Sequence, residues 1–227
     1  LLTLLGLALA ACAAPRAVRH AEPATPAFFR VEPVRPVAEL LREALVARPP
    51  PEAGDFRATD LVELVTLAPG IRLDIRYAGT RNFLSTPLYS QARAFLQRPA
   101  AAALVRVHRA LAPESYGLLV HDAYRPWYVT KVFWDATPAD KHAFVADPAQ
   151  GSRHNRGCAV DLTLYDLKTG NAVEMPSLYD EMSERAHASY SGGSAQERRL
   201  RDLLRRHMER AGFAVEHRPQ PLRFLRG

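Results

Sequence analysis

The segment with the clearest potential for chemistry is residues 152–161, SRHNRGCAVD. It places His154 seven residues before Asp161. On an unbroken strand these two side chains would point to opposite faces, because strand side chains alternate. The turn-forming residues 155–157 (NRG) interrupt such a strand, so both side chains can converge on one point. Since an imidazole and a carboxylate are common zinc ligands, the segment predicts a metal site; a capped turn without a metal is the alternative.

A second polar group lies in residues 122–126, DAYRP. Arg125 carries a planar, permanently charged guanidinium, which suits a developing negative charge. Asp122 stands three residues earlier and is expected to hold that guanidinium through a charge-assisted pair. A plain surface turn is the alternative for this segment.

The other reactive side chains have simpler interpretations. Cys158 lies between two small residues and is expected to pack, not to act as a nucleophile or a metal ligand. Five histidines between residues 56 and 213 stand outside any motif and are interpreted as structural: His108, His121, His142, His187 and His207.

Apolar periodicity predicts the elements that must position these groups. Strands are expected at residues 71–77, 117–122 and 159–164, helices at residues 99–111 and 196–211, and the start of a further strand at residues 213–215. Gly212 is expected to end the second helix. Because strands and helices follow no regular βαβ order, the predicted class is α+β: a single domain with a central, mainly antiparallel sheet packed by helices.

Composition limits the class of protein. Of the 227 residues, 48% are hydrophobic and 24% charged, which is ordinary for a globular chain and excludes a multispan membrane protein, a collagen-like fibre and a wholly disordered chain. The net charge of +6 comes mainly from scattered arginines. One cluster at residues 198–206 has the acidic residues Glu197, Asp202 and Glu209 in and around it and is interpreted as a solvated helix face, so no nucleic-acid partner is expected.

The first 55 residues are predicted to be an export segment followed by a tether. Residues 1–12 (LLTLLGLALAAC) are interpreted as a signal-peptide remnant ending in a bacterial lipobox, with Cys12 as the lipidation site. An ordinary cleaved signal peptide is the alternative. Either way the protein is expected to be exported, and the lipobox favours a periplasmic protein whose only membrane contact is a lipid anchor. Residues 13–55 hold eight of the 18 prolines and are predicted to be a tether, with one short helix at residues 37–45; residues 56–227 form the domain.

Four ordered motifs together resemble a known family. The string Ser152-x-His154-x-x-Gly157-x-Ala159-x-Asp161 is similar to the metal motif of the zinc D-alanyl-D-alanine dipeptidases (VanX-like), within the larger DD-peptidase/Hedgehog fold group. The other three motifs are residues 71–77 with the nearby Asn82-Phe83 and Leu88-Tyr89, residues 122–126, and residues 175–183. The resemblance spans roughly residues 60–213.

The resemblance implies a site and a reaction. One zinc ion bound by His154 and Asp161 would polarise water to cleave D-alanyl-D-alanine into two D-alanines in cell-wall peptide metabolism. Arg125 would face the oxyanion, and a small dipeptide would be the substrate. Asp180 would receive its free amino group, unless it is a helix N-cap. Ser152 would bind substrate or orient His154, unless it is only a turn residue. Asp122 is grouped with these two in the substrate site.

The chain departs from the family pattern after Phe213. The family carries Glu-x-x-His there, as general base and third zinc ligand, but residues 214–227 contain no such string. Glu216 and His217 are adjacent, so on a strand they would point to opposite faces; His217 would reach a metal only if the backbone bends. The Pro- and Arg-rich ending is expected to lack a closing strand, as an altered or truncated C-terminus would. Two alternatives follow: a catalytically impaired periplasmic module that binds peptidoglycan peptides, or a related D,D- or L,D-carboxypeptidase.

Overall fold

The structure is a computed structural model that describes residues 28–51, 54–215 and 223–225. Its helices are α1 (Val37–Val46), α2 (Leu64–Leu67), α3 (Arg98–Leu111), α4 (Trp127–Ala136) and α5 (Ala195–Arg210). Its strands are β1 (Leu61–Glu63), β2 (Arg72–Leu73), β3 (Phe95–Gln97), β4 (Tyr116–Asp122), β5 (Ala159–Asp166), β6 (Ala214–Val215) and β7 (Arg223–Leu225). None of the helices within the described ranges has the length and apolar character needed to cross a bilayer.

A five-stranded sheet forms the centre of the domain, in the order β2-β4-β5-β7-β6. The pairs β4–β5, β5–β7 and β7–β6 are antiparallel, whereas β2 runs parallel to β4. A separate antiparallel pair joins β1 and β3. The α+β class and the mainly antiparallel sheet are therefore confirmed. The strand predicted at residues 71–77 is shorter than expected, since β2 covers two residues and the chain turns into a 3-10 helix at Arg76–Ala78.

The central strand β5 shows how the sheet separates core from site. Val160 and Leu164 are fully buried and pack in one cluster with Leu104 of α3 and Leu204 of α5. Asp161 alternates with these residues and therefore lies on the opposite face. One face of β5 thus belongs to the core, and the other can present polar groups.

The predicted tether contains a packed helix. Helix α1 confirms the helix expected at residues 37–45, and its buried Leu40 and Ala44 belong to a second apolar cluster with Val132 and Phe133 of α4. The packed part of the domain therefore begins upstream of residue 56. Residues 1–27, which include the signal and lipobox segment and much of the tether, lie outside the described residues.

The chain does have a closing strand, so the expectation that it lacks one is wrong. Strand β7 pairs with β5 in the register Ala159↔Leu225, Val160↔Phe224 and Asp161↔Arg223. Phe224 is fully buried and joins the core cluster. The prolines of this region hid the strand, because proline lacks the N–H that a sheet needs. All of them precede Arg223 in the sequence, so the three residues of β7 are free of proline and can pair with Ala159–Asp161 at the start of β5.

Candidate metal centre and active site

A tight turn brings the two predicted metal ligands together. The turn is a 3-10 helix, Arg153–Arg156, and Ser152 caps it: its Oγ accepts a hydrogen bond from the His154 N–H at 3.3 Å. Gly157 ends the turn with φ of +66°, and a Cβ there would lie 2.5 Å from a Leu61 methyl carbon. The chain can then enter β5 at once. His154 Nε2 lies 3.4 Å from Asp161 Oδ1, so the predicted convergence is confirmed.

The hydrogen bonds of His154 leave one ring nitrogen available. Nδ1 lies 2.7 Å from the carbonyl oxygen of Ala123, and since a carbonyl can only accept, Nδ1 carries the proton. Nε2 then holds a lone pair, is buried, and has no hydrogen-bond partner within the described ranges. Metal-binding histidines are commonly fixed in this way, through a second nitrogen that donates to a carbonyl or carboxylate. The residues present therefore fit a zinc ion on the side of Nε2 that faces Asp161.

Asp122 completes a buried group with these two residues, since one ligand atom from each lies within 4.8 Å of the others. Its oxygens, however, already have partners. Oδ2 accepts from Arg125 Nε at 2.9 Å and Nη2 at 2.6 Å, and Oδ1 accepts from the Tyr89 hydroxyl at 2.7 Å. It also approaches the protonated Nδ1 of His154, not Nε2, at 3.5 Å. Asp122 therefore positions its neighbours, and the predicted pair with Arg125 is confirmed.

Arg125 is a buried cation at the centre of the site. It is 2% exposed, and its Nη2 lies 3.5 Å from Asp161 Oδ2. The ring of Phe133 lies 4.7 Å from the guanidinium carbon. Burial alone would lower the pKa of Arg125, but the surrounding groups, Asp122 first and then Tyr77, Tyr89 and Asp161, together outweigh burial and the pKa is raised. The site thus holds a fixed positive charge beside both predicted ligands.

Asp180 faces the same region from a loop after β5. Its φ of +60° places it in a turn, and no helix begins there, so the alternative of a helix N-cap is wrong. The Tyr77 hydroxyl donates to its two oxygens at 2.9 and 3.1 Å. Burial raises the pKa of Asp180 from 3.8 to about 7. With Tyr77 and Arg125, Asp180 lines a narrow pocket of about 20 Å³.

A larger cavity, about 540 Å³, opens on another side of Asp161. Residues lining it include Arg76, Arg81, His121, Thr163 and Tyr179. We call this cavity the groove. The Tyr179 hydroxyl donates to Asp161 Oδ2 at 3.4 Å, and the Tyr179 ring packs against His121 with centroids 4.9 Å apart. Burial lowers the pKa of His121 to about 4, so this side chain is neutral at physiological pH.

Several of these groups carried little signal in the sequence. Tyr77 and Tyr89 stand in the quoted motifs, but only the structure shows them donating to the carboxylates of Asp180 and Asp122. His121 was interpreted as structural, yet it lines the groove. Cys158 lies outside the buried metal group, and its pKa is raised by burial. Glu216, His217 and Cys12 lie outside the described residues.

An α+β domain with a buried imidazole lone pair, a converging carboxylate and a fixed arginine belongs to the class of metal-dependent hydrolases. A family model described as D-ala-D-ala dipeptidase matches residues 57–218. The chain therefore belongs to the D-ala-D-ala dipeptidase family, which is a family of zinc metallopeptidases. This confirms the resemblance carried by the four motifs.

The chain is also similar to individual dipeptidases. It is 36% identical over 155 residues to the D-alanyl-D-alanine dipeptidase of Escherichia coli (strain K12), covering 68% of this chain and 79% of that protein. It is 36% identical over 162 residues to the enzyme of that name from Enterococcus faecium, covering 63% and 80%. It is 35% identical over 179 residues to the enzyme of that name from Streptomyces coelicolor, covering 71% of this chain and 86% of that protein.

Proposed function

We propose that this chain hydrolyses the dipeptide D-alanyl-D-alanine into two D-alanines in cell-wall peptide metabolism. Its family membership supports the reaction. The observation that carries the proposal is the buried Nε2 of His154, which has no hydrogen-bond partner in the described part of the chain and faces Asp161 at 3.4 Å. Beside this pair stands the Arg125 guanidinium, 3.5 Å from Asp161.

His154 and Asp161 would hold the zinc ion, which when bound supplies a Lewis acid for water and the scissile carbonyl. Arg125 stabilises the negative charge that develops on that carbonyl oxygen. Because Asp122 fixes the guanidinium before substrate arrives, little reorganisation is needed during the reaction, and such fixed donors are the effective ones. Ser152 acts indirectly, since its cap positions the turn that carries His154.

Asp180 would bind the ammonium group of the dipeptide. Its carboxylate is held by the Tyr77 hydroxyl in the pocket that Arg125 also lines. A buried anion of this kind favours a free amino terminus close to the scissile bond. The substrate class is therefore the free dipeptide, in preference to the longer stem peptides of a carboxypeptidase.

The ionisation of Asp180 predicts a pH dependence. Since the pKa of Asp180 is about 7, the carboxylate needed to bind ammonium is lost as pH falls below that value, and KM for D-Ala-D-Ala is expected to rise about tenfold between pH 8 and pH 6. Initial rates across this range measure KM, and Asp180→Asn should have a high KM that hardly changes with pH.

The free energy of unfolding should change with pH in the opposite sense to substrate binding. Because the pKa of Asp180 is raised in the fold, its protonated form stabilises the folded chain at low pH, and that contribution is lost as pH rises from 3.8 through about 7.

Release of D-alanine by the full chain tests the reaction itself. With zinc present, free D-Ala-D-Ala is expected to be cleaved, while N-acetyl-D-Ala-D-Ala and a pentapeptide ending in D-Ala-D-Ala are cleaved at least about a hundredfold more slowly, because their amides present no ammonium to Asp180. Preferential cleavage of the pentapeptide would replace the dipeptidase proposal with a carboxypeptidase.

A second candidate function is a module that binds cell-wall peptides without cleaving them. The observation that favours it is the number of available ligands. Catalytic zinc sites usually have three protein ligands. Among the described residues the buried group holds Asp122, His154 and Asp161, and both oxygens of Asp122 already accept hydrogen bonds from Arg125 and Tyr89. Binding of D-Ala-D-Ala without turnover and without stoichiometric zinc would support this candidate.

We further propose that the protein is exported and anchored in the periplasm through a lipid on Cys12. The apolar run of residues 1–11 followed by cysteine supports this, as does the proline-rich composition of residues 13–55, which suits a tether. Labelling of expressing cells with radioactive palmitate tests the anchor. Label that is absent from the protein, or that persists in Cys12→Ala, would contradict it.

A further inference from the structure

Two buried side-chain polar atoms lack a hydrogen-bond partner among the described residues: His154 Nε2 and Thr163 Oγ1. A zinc ion accounts for the first, but nothing in the proposed reaction accounts for the second. Buried hydroxyl groups are usually paired, because an unpaired one loses its bonds to water without replacement. Thr163 is only 9% exposed. A bound ligand could therefore supply the missing hydrogen-bond partner of this hydroxyl.

Thr163 stands in the groove beside the metal centre. It is two residues beyond Asp161 on β5, so the two side chains share a face and lie about 6.6 Å apart along the strand. Both line the groove, together with His121 and Tyr179. At about 540 Å³ the groove lies within the usual size range of small-molecule sites.

The groove also has a positive side. Arg76 and Arg81 line it. Arg76 is already paired with Asp74 at 2.9 Å, whereas Arg81 is exposed with no ion pair in the described part of the chain. His121 is neutral at physiological pH. A carboxylate entering this space would find arginine charge nearby and a hydroxyl donor on its floor.

The narrow pocket and the groove would bind opposite ends of the substrate. Asp180 and Arg125 line the narrow pocket, which would take the amino end of the dipeptide. An extended peptide that passes Asp161 continues into the groove. The separation of about 6.6 Å between Asp161 and Thr163 along β5 is close to the length of two extended residues. We infer that the Thr163 hydroxyl binds the substrate on the carboxyl side of the scissile bond, as hydrogen-bond donor to the carboxylate of the leaving D-alanine. This inference rests on the proposed function for the identity of the ligand.

The matched pair Thr163→Val and Thr163→Ser tests it. Valine has the shape of threonine without the hydroxyl, and serine keeps the hydroxyl. For the zinc-loaded full chain we expect Thr163→Val to raise KM for D-Ala-D-Ala about tenfold to a hundredfold, as for loss of a hydrogen bond to a charged group, with kcat within about twofold. Thr163→Ser should recover most of the affinity. An unchanged KM in Thr163→Val overturns the inference.

Thermal unfolding separates substrate binding from a structural role. Because the ligand-free hydroxyl has no partner in the described structure, Thr163→Val should unfold at the same temperature as the parent chain or higher. A lower melting temperature in Thr163→Val, recovered by Thr163→Ser, would assign the hydroxyl to the fold and overturn the inference.

Calorimetric titration of the metal-stripped chain with D-Ala-D-Ala keeps the inference distinct from the proposed reaction. If the zinc-loaded parent releases no D-alanine but the stripped chain binds the dipeptide, and Thr163→Val weakens that binding, hydrolysis fails and the subsite stands. If the parent hydrolyses the dipeptide and Thr163→Val leaves KM unchanged, hydrolysis stands and the subsite fails. If the parent neither binds nor cleaves the dipeptide, both are overturned.

Discussion

Replacement of His154 by alanine is expected to abolish stoichiometric zinc binding and to lower kcat/KM for D-Ala-D-Ala by at least about a thousandfold. The reason is geometric: in the described structure its Nε2 is the buried nitrogen that faces Asp161 with its lone pair available. Loss of a metal that supplies several kcal/mol of transition-state stabilisation corresponds to a rate loss of this size. Metal analysis of the purified variant and its initial rates measure both effects.

His207→Ala is the matched control for His154→Ala. His207 lies on α5 and contacts Glu114 at 2.7 Å, outside the group of possible metal ligands. This variant should bind one zinc ion and retain the parental rate. A His154→Ala protein that is folded, binds one zinc ion and turns over normally would refute the site.

The second large effect is expected for Arg125→Lys, which should lower kcat about a hundredfold to a thousandfold, the range found when one donor to an oxyanion is removed. Lysine keeps the charge but lacks the planar fork that makes two bonds to Asp122 at 2.9 and 2.6 Å. The position of the charge is then no longer fixed. Steady-state kinetics at saturating D-Ala-D-Ala report kcat directly.

Zinc affinity distinguishes Arg125→Lys from a ligand mutant. Arg125 is 3.5 Å from Asp161 but is not a metal ligand, so the variant should still bind one zinc ion with affinity within about tenfold of the parent. Lysine is the preferred substitution, because Arg125→Ala would leave the carboxylate of Asp122 buried and without its ion pair, at a cost of about 3–5 kcal/mol in stability. A kcat within tenfold of the parent in Arg125→Lys would show that the guanidinium held by Asp122 is not needed for catalysis.

The sequence predicted the local parts of the site well. The turn between His154 and Asp161 follows from residue types alone, since Gly157 supplies the left-handed backbone that the turn needs. The pair of Asp122 with Arg125 follows from charge and short separation. Helices α3 and α5 follow from apolar spacing, whereas the capping box at Ser194 and Glu197 that begins α5 is seen only in the structure.

Features of the fold and the site that depend on contacts between distant residues could not be predicted from local sequence patterns. Strand β7 was missed because its three residues follow a proline-rich run, and only pairing with β5 and burial of Phe224 establish it. β2 is followed by a 3-10 helix at Arg76–Ala78, from which Tyr77 donates to Asp180, 103 residues later in the chain. No local pattern marks Thr163 as unpaired, because that property depends on every neighbour in space.

The role of Asp122 also depends on contacts that a short-range pattern does not show. Its carboxylate lies close to His154 and Asp161, but its hydrogen bonds to Arg125 and Tyr89 occupy both oxygens. Only the complete set of partners distinguishes a ligand from a residue that positions an arginine. The grouping of Asp122 with the substrate-binding residues remains a prediction.

Anomalous diffraction at the zinc absorption edge, from crystals of the full chain grown with zinc, would locate the metal directly. One strong peak is expected at about 2.0–2.2 Å from both His154 Nε2 and a carboxylate oxygen of Asp161, with the Arg125 guanidinium nearby and not bound to it. A peak on other side chains, or an ordered site without a peak in zinc-saturated crystals, would contradict this centre and the hydrolytic reaction assigned to it.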